Sequence, residues 1–284
     1  MNITNSQNFL YDIKLVEEIV GKANFKQNLD ILEIGAGKGI ITKELAKIGN
    51  VLALELDTNL YNNLIKNNTN KNIEFVNENI LDHKFNKDYN VFSNIPFNIT
   101  TDILTKLLKD NHIFDIYLIM QYEPFLRFSE NKEIYLTYKY LLFKPFYDMN
   151  LVHKFKETDF KPTPKARIIL ASFLRKTKPD IEFKDIDLYL DFISYLFSKK
   201  SKLLLEKIDK LFSDKQKEII KKTLKIEDDY LFTSLSYENI IYLFNTFNKY
   251  ASDRSKKIVE NFFKQKEEEK DNNPHKNFSN KNKW

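Results

Sequence analysis

Three of the five glycines in this 284-residue chain are clustered, at positions 35, 37 and 39. They follow residues 31–34, a mostly apolar run that is typical of a buried strand, and precede an apolar helical pattern over residues 40–48. A chain that uses glycine so sparingly places it where the backbone needs a positive φ or a close approach to a ligand. The order strand, glycine loop and helix therefore predicts a nucleotide-binding turn in an α/β fold.

The spacing of these glycines excludes two common classes of nucleotide-binding turn. Lys38 is followed by Gly39, so the loop lacks the Ser or Thr that follows the lysine of a P-loop. The pattern Gly-x-Gly-x-Gly also differs from the Gly-x-Gly-x-x-Gly of dinucleotide-binding turns. The turn is therefore predicted to clear space for a ligand without a pyrophosphate.

A carboxylate lies at a position where it can bind the hydroxyls of a ribose. Glu55 closes a second predicted strand, residues 51–55, twenty residues after Gly35. A carboxylate at that place can accept hydrogen bonds from both ribose hydroxyls. Asp57 is interpreted instead as the N-cap of a helix that begins at Thr58.

A second loop is fixed by Pro96, which stops a predicted strand over residues 91–94. Proline cannot donate to a sheet ladder, and it biases the residue before it toward an extended conformation. The stiff loop presents the amide of Asn94 and the ring of Phe97 at the carboxyl end of a strand, where open α/β sheets bind ligands. The Asn94 oxygen and the Ile95 carbonyl can accept from a nucleobase amine while Phe97 stacks on the base; the alternative is an ordinary turn.

Further apolar runs predict strands at residues 73–76, 115–121, 151–155 and 168–173, which gives seven strands in all. From residue 177 helical spacing dominates, and four helices are predicted at residues 186–197, 203–212, 217–224 and 237–247. From residue 251 the chain is charged and rich in Asn. We therefore predict a catalytic domain (1–176), a helical domain (177–250) and a disordered tail (251–284).

Composition excludes several classes of protein. The chain has no cysteine and its four histidines are scattered, so neither disulfides nor a metal site are expected. No apolar run approaches a membrane span, and the N-terminus lacks the features of a signal peptide, so a cytoplasmic protein is expected. A net charge of +5 permits a polyanionic partner.

Five segments between residues 6 and 165 resemble, in order and spacing, the Erm family of 23S rRNA adenine-N6 methyltransferases. The segments Ser6-Gln7-Asn8-Phe9, Gly37-Lys38-Gly39 and Asn94-Ile95-Pro96 are similar to that family. The related KsgA-type small-subunit rRNA dimethyltransferases more often have Gly-Gln, Gly-Leu-Gly and Asn-Leu-Pro-Tyr at these places. The resemblance covers the whole predicted catalytic domain, and the helical domain is consistent with it.

The resemblance implies a Rossmann-like, seven-stranded S-adenosylmethionine methyltransferase sheet with a small all-helical C-terminal domain. It implies S-adenosylmethionine as the cofactor, held by Asn8, Leu10, Gly35, Glu55, Asn79 and Asn94. It implies that the target adenine is bound by Asn94, Phe97 and Phe160. Asn79 departs from the usual Asp of the family, which weakens its hydrogen bond to the cofactor adenine. Phe160 lies in a Pro-rich loop, and the alternative for it is a place in the core.

The implied partner is naked or immature 23S rRNA in its peptidyl-transferase loop region, bound by a monomer. Methylation there implies resistance to macrolides, lincosamides and streptogramin B; the alternative is a KsgA-type enzyme acting on 16S rRNA. An NAD-dependent oxidoreductase and a non-catalytic nucleic-acid-binding relative are two further alternatives, disfavoured by the glycine spacing and by intact Glu55 and Asn94. Some lysines of the helical domain are expected to bind phosphates: Lys199, Lys200, Lys202, Lys207, Lys210, Lys217, Lys221 and Lys222.

Overall fold

The computed structural model describes residues 9–96, 99–129 and 136–271. The chain divides into two compact units: residues 1–129 with 146–179, and residues 130–145 with 180–284. In the described residues, the first unit combines helices with strands and the second is helical.

The first unit contains nine strands in the described residues: β1 (Phe9–Leu10), β2 (Asp30–Ile34), β3 (Val51–Leu54), β4 (Ile73–Val76), β5 (Tyr89–Asn94), β6 (Ile113–Gln121), β7 (Tyr147–Lys154), β8 (Phe160–Lys161) and β9 (Ile168–Arg175). Its helices are α1 (Ile13–Gly21), α2 (Ile40–Leu45), α3 (Thr58–Asn67), α4 (Thr100–Lys109) and α5 (Tyr122–Leu126). Seven strands form one sheet in the order β4-β3-β2-β5-β6-β9-β7. Strands β2 to β6 run parallel, and β9 and β7 complete the sheet in antiparallel pairings. The predicted seven-stranded α/β sheet is confirmed.

The order of the strands creates a switch point between β2 and β5. The chain runs outward from β2 through β3 to β4, and then returns to the other side of β2 to begin β5. The carboxyl ends of these parallel strands lie at one edge of the sheet, and a crevice forms there where the order reverses. The glycine loop after β2 and the Asn94 loop after β5 therefore flank the same crevice.

The short helices of this unit are stabilised by their caps and by burial on the sheet. Asp12 caps α1 by accepting from the backbone N–H of Lys14, and α1 buries Val16, Ile19 and Val20 in the core. The predicted cap Asp12 is thereby confirmed. Strand β5 is buried from Tyr89 to Ser93, as expected for a central parallel strand covered on both faces.

The second unit contains seven helices in its described part: α6 (Tyr138–Phe143), α7 (Ile186–Ser198), α8 (Leu204–Ile208), α9 (Asp214–Leu224), α10 (Tyr237–Tyr250), α11 (Asp253–Val259) and α12 (Phe262–Asp271). Helix α7 is apolar on most sides, which predicts a central position. The ring centroids of Tyr189 and Phe244 lie 5.0 Å apart, as do those of Phe192 and Phe247, so α7 and α10 share one aromatic core.

Helix α6 falls inside the predicted catalytic domain but belongs to the helical unit. The hydroxyls of Tyr138 and Ser194 lie 2.7 Å apart, and the Tyr189 hydroxyl donates to the carbonyl of Leu141 at 2.5 Å. Helix α6 is rich in aromatic side chains, which are stabilised by burial against an apolar surface. Helix α7 provides that surface. The structure therefore differs from a single boundary at residue 176.

The described part of the predicted disordered tail is helical. Helices α11 and α12 bury Val259 completely and leave only 7% of Phe263 exposed. The carboxylate of Asp191 on α7 accepts from the backbone N–H groups of Asn261 and Phe263, each at 2.9 Å. The prediction of disorder is wrong for this segment, because a few apolar residues suffice once α7 offers a surface. Residues 272–284 lie outside the described residues.

Candidate active site

The glycine loop needs its glycines for backbone conformation. Gly35, Gly37 and Gly39 have φ values of 73°, 57° and 76°, in the left-handed region that other residues rarely adopt. The N–H groups of Gly35 and Ala36 both donate to the carbonyl of Leu54, at 2.8 and 3.1 Å. The loop is thus fastened to the end of β3 and turns sharply over the crevice.

Glu55 holds this loop from the end of β3. Its side chain is 2% exposed, and one carboxylate oxygen accepts from the N–H of Gly37 at 2.7 Å. The other oxygen accepts from the N–H of Asp57 at 2.8 Å. Each oxygen keeps further acceptor capacity, so the same carboxylate can hold hydroxyl groups of a ligand. Asp57 caps α3 as predicted, accepting from the N–H groups of Asn59 and Leu60.

The first described strand lies over the glycine loop. A side chain at Gly37 would come within 2.9 Å of the Phe9 ring, and the Lys38 ammonium lies 5.3 Å from the centre of that ring. Strand β1 pairs with β8, with Leu10 opposite Phe160. Leu10 is 5% exposed and therefore lies in the wall beside the loop. Asn8, the other residue predicted in this segment, lies outside the described residues.

Two asparagines follow β4 at the same edge of the sheet. Asn79 is half-buried, and its side-chain oxygen accepts from the N–H of Leu81 at 3.1 Å, which closes a turn. Asn77 donates its amide N–H to the carbonyls of Glu55 and Leu56, at 2.7 and 3.1 Å. Sequence reasoning missed Asn77, which ties the end of β4 to the end of β3.

The Asn94 loop follows β5 on the other side of the switch point. Asn94 is the last residue of β5, is half-buried and lies opposite Ile119 of β6. Ile95 is 2% exposed, and the carbonyl of Pro96 accepts from the N–H of Ile99 at 3.4 Å. The loop is thus anchored on both sides, as the proline predicts. Phe97 lies outside the described residues.

Ser93 joins the two loops and was missed by sequence reasoning. Backbone pairing between β2 and β5 extends only to Leu32 and Val91. Beyond it, the N–H of Ile34 donates to the Ser93 hydroxyl at 2.7 Å, and Ser93 is completely buried. The strands therefore separate at the switch point while one side chain keeps them at a fixed distance. The available signal was a small polar residue inside an apolar strand.

Phe160 is not presented to solvent. Its ring is 1% exposed and meets the ring of Phe155 edge-on, with centroids 5.2 Å apart. The prediction of an exposed stacking face is wrong for this structure, because pairing of β8 with β1 turns the ring into the core. The alternative of a core position holds for Phe160.

A buried carboxyl group that sequence reasoning also missed lies beneath the glycine loop. Glu33 of β2 is 1% exposed. Burial raises the pKa of the Glu33 carboxyl to about 8; the Thr42 hydroxyl opposes this rise and the charge of Glu55 adds to it. Glu33 is therefore mostly protonated at neutral pH, and Glu55 is the carboxylate that holds the loop.

Three of the lysines expected to bind phosphates are engaged within the protein. Lys207 is 6% exposed, and its ammonium donates to the carbonyls of Leu196 and Lys199, each at 2.8 Å. Burial lowers its pKa. Lys217 forms ion pairs with Asp209 and Asp214, and Lys221 with Asp228. The remaining five are half-buried or exposed: Lys199, Lys200, Lys202, Lys210 and Lys222.

The described residues contain no group of three His, Cys, Asp or Glu side chains that could hold a metal ion. Nor does this part of the chain contain a helix long and apolar enough to cross a membrane.

The sequence is similar to known rRNA methyltransferases. The model of the ribosomal RNA adenine dimethylase family matches residues 1–249. A ribosomal RNA small subunit methyltransferase A from Mycoplasmopsis pulmonis (strain UAB CTIP) is 34% identical over 210 residues, which cover 70% of this chain and 80% of that protein. An rRNA adenine N-6-methyltransferase from Escherichia coli is 34% identical over 209 residues, which cover 72% of this chain and 82% of that protein.

The fold is also that of solved methyltransferases. The crystal structure of the 23S rRNA methyltransferase ErmE matches with a TM-score of 0.70 and 22% identity, over 85% of this chain and 100% of that one. A dimethyladenosine transferase from Plasmodium falciparum matches with a TM-score of 0.69 and 19% identity, over 84% of this chain and 98% of that one. The predicted methyltransferase sheet with a helical C-terminal portion is therefore confirmed. Family model, relatives and fold agree: the chain belongs to the ribosomal RNA adenine dimethylase family and is an rRNA adenine-N6 methyltransferase.

Proposed function

We propose that this enzyme methylates N6 of one adenine in 23S rRNA, with S-adenosylmethionine as the methyl donor. The observation that carries this proposal is the pairing of two loops across one switch point. The glycine loop after β2 and the Asn94 loop after β5 are held together by the Ser93–Ile34 hydrogen bond. One loop suits a cofactor and the other suits a nucleobase amine.

The residues present fit the cofactor. Three left-handed glycines keep side chains out of the space above β2, and the Glu55 carboxylate can accept from ribose hydroxyls. Leu10, Gly35 and Asn79 complete the proposed site among the described residues, and Asn8 is proposed from the sequence. When bound, S-adenosylmethionine supplies a methyl group that its sulfonium has already activated.

The protein's own task is to position the amine. The N6 lone pair of adenine is delocalised into the ring, so the nitrogen is a poor nucleophile until it becomes pyramidal. The Asn94 side-chain oxygen and the Ile95 carbonyl are proposed to accept its two N–H groups, which favours that shape and directs the lone pair at the methyl carbon. Phe97 is proposed to hold the base by stacking, worth about 1–3 kcal/mol. No strong general base is required, because the methylated cationic amine is very acidic.

The choice of 23S rRNA rests on sequence similarity. The segments at residues 6–9, 37–39 and 94–96 resemble the Erm family, and rRNA adenine N-6-methyltransferases from Escherichia coli and Enterococcus faecalis (strain ATCC 700802 / V583) are each 34% identical. An adenine must leave its stack to reach Asn94, which is cheapest in a loop or bulge. The proposed substrate is therefore naked or immature 23S rRNA in the peptidyl-transferase loop region, bound by a monomer in the cytoplasm.

Expression in a susceptible bacterium tests this proposal. Wild-type protein is expected to raise resistance to macrolides, lincosamides and streptogramin B, because N6 methyl groups add bulk and remove donors where these drugs bind. Asn94→Ala is expected to abolish the effect in a folded protein. Asn62→Ala, which removes an exposed amide from α3, is the matched control and keeps resistance. Tritiated-methyl transfer to naked 23S rRNA should follow the same pattern.

A second candidate function is methylation of small-subunit rRNA. It is favoured by the similarity of this chain to the small subunit methyltransferase A of Mycoplasmopsis pulmonis. The alignment covers 80% of that protein. Methyl transfer to 16S rRNA without any change in macrolide susceptibility would replace the first proposal with this one. In both cases Asn94→Ala should abolish methyl transfer.

A further inference from the structure

The helical unit contains a cavity of about 710 Å³ that no part of the proposed reaction uses. It lies among the C-terminal ends of α7 and α10, the N-terminal end of α9, and helices α11 and α12. Its size is within the range of small-ligand sites. Its lining includes three cations and four aromatic rings: Lys199, Lys210, Arg254, Tyr195, Phe212, Tyr250 and Phe262.

The charged residues that line the cavity are all positive. None of its lining residues carries a carboxylate. Within the described part of the chain, no acidic group lies within ion-pair distance of Lys199, Lys210 or Arg254, whereas Lys217 nearby is paired with two aspartates. Three cations without counter-charges favour an anionic ligand.

The aromatic residues add a surface for a planar group. Tyr250 is 60% exposed, and the Lys249 ammonium lies 5.1 Å from the centre of its ring, so a ligand can stack only on the ring face away from that ammonium. Tyr195 is 1% exposed, and its hydroxyl has no hydrogen-bond partner in the described residues. The rings of Tyr195 and Phe262 meet edge-on with centroids 5.1 Å apart, which fixes the inner wall.

We propose that this cavity binds a nucleotide unit of single-stranded RNA, with the phosphate on the cations and the base against Tyr250. Basic grooves with exposed aromatic rings bind single strands in this way, because every base has a face that can stack.

The site extends beyond the matched family region. The family model ends at residue 249, and half of the lining residues follow it. All of these except Tyr250 belong to the segment whose sequence predicts a disordered tail. The proposal rests on the proposed function only in taking RNA as the source of the nucleotide.

Fluorescence anisotropy of a labelled single-stranded oligouridylate with the full chain tests the site. This probe contains no adenine, so its binding is independent of methyl transfer and of the proposed function. Tyr250→Ala is expected to weaken binding by about 5- to 150-fold, and Tyr250→Phe to retain it. Lys210→Ala with Arg254→Ala is expected to weaken binding and to make the log–log salt dependence shallower by about 1.4.

The matched control removes two exposed lysines that do not line the cavity, Lys215→Ala in α9 with Lys257→Ala in α11. Equal weakening by both pairs, or unchanged binding by Tyr250→Ala, would overturn the proposal. Uridine monophosphate should displace the probe where inorganic phosphate at the same concentration does not; equal displacement would refute the base contact. Tighter binding of the oligouridylate than of uridine monophosphate identifies RNA as the source, and equal affinity identifies a free nucleotide.

Discussion

The Ser93 hydroxyl accepts a 2.7 Å hydrogen bond from the backbone N–H of Ile34, at the point where β2 and β5 separate. This bond replaces the ladder pairing that ends at Leu32 and Val91. It keeps the crevice open, because the strands are held by a side chain rather than by their backbones. The distance between the two functional loops therefore depends on one buried serine.

Ser93→Ala should destabilise the protein by about 1–3 kcal/mol, since the N–H of Ile34 would be buried without its partner. Urea unfolding measures this loss. Ser172→Ala is the control, because Ser172 is also buried in the sheet but lies in β9, away from the switch point between β2 and β5. Equal effects of the two substitutions would contradict a special role for Ser93.

Glu55→Ala should weaken S-adenosylmethionine binding by about 1–3 kcal/mol, because it removes a charged acceptor and releases the N–H of Gly37. Calorimetry gives the affinity. Asp57→Ala is the control, since it removes the nearby carboxylate that caps α3. It should cost about 1 kcal/mol of stability and leave affinity unchanged. Unchanged cofactor affinity in folded Glu55→Ala would exclude Glu55 from the site.

Glu33→Gln should reduce the pH dependence of stability. The Glu33 pKa is raised from 4.5 to about 8 in the folded protein, so the folded state binds more protons between these values. The stability that this group contributes is complete below the unfolded pKa and is lost as pH rises through about 8. Thermal melts between about pH 6 and 9 should show a smaller decline for Glu33→Gln than for wild type. The exposed Glu17→Gln should behave like wild type, and parallel curves for all three proteins would contradict the prediction.

Phe160→Ala should cost about 3–5 kcal/mol, the usual effect of removing a buried ring. Phe160→Leu keeps most of the apolar volume but removes the aromatic face, so it should fold and retain methyl transfer. Loss of turnover in a stable Phe160→Leu protein would instead mean that the ring leaves the core and stacks on the target base.

Truncation after Ser252 should lower stability by about 3–6 kcal/mol, because it exposes the surface that Val259 and Phe263 cover. The two backbone hydrogen bonds to Asp191 are lost as well. Chemical unfolding compares this protein with a truncation after Asp271, which composition predicts to be neutral. Equal stability of the two truncated proteins would show that α11 and α12 contribute little.

The sequence by itself determined the features that depend on local backbone chemistry. Clustered glycines predicted the left-handed loop, Asp57 predicted a helix cap, and Pro96 predicted a stiff end to β5. Apolar runs predicted the positions of the seven strands that form the sheet. Each of these follows from steric or hydrogen-bonding limits within a few residues, so no distant partner is needed to infer it.

Only the tertiary structure decided which side chains are buried and which are accessible to a ligand. Phe160 lies in the core because β8 pairs with β1, about 150 residues earlier in the chain. The Lys207 ammonium donates to two carbonyls at the end of α7. Residues 253–259 and 262–271 form helices because α7 offers them an apolar surface. Burial is a property of contacts between distant segments, and composition within one segment does not fix it.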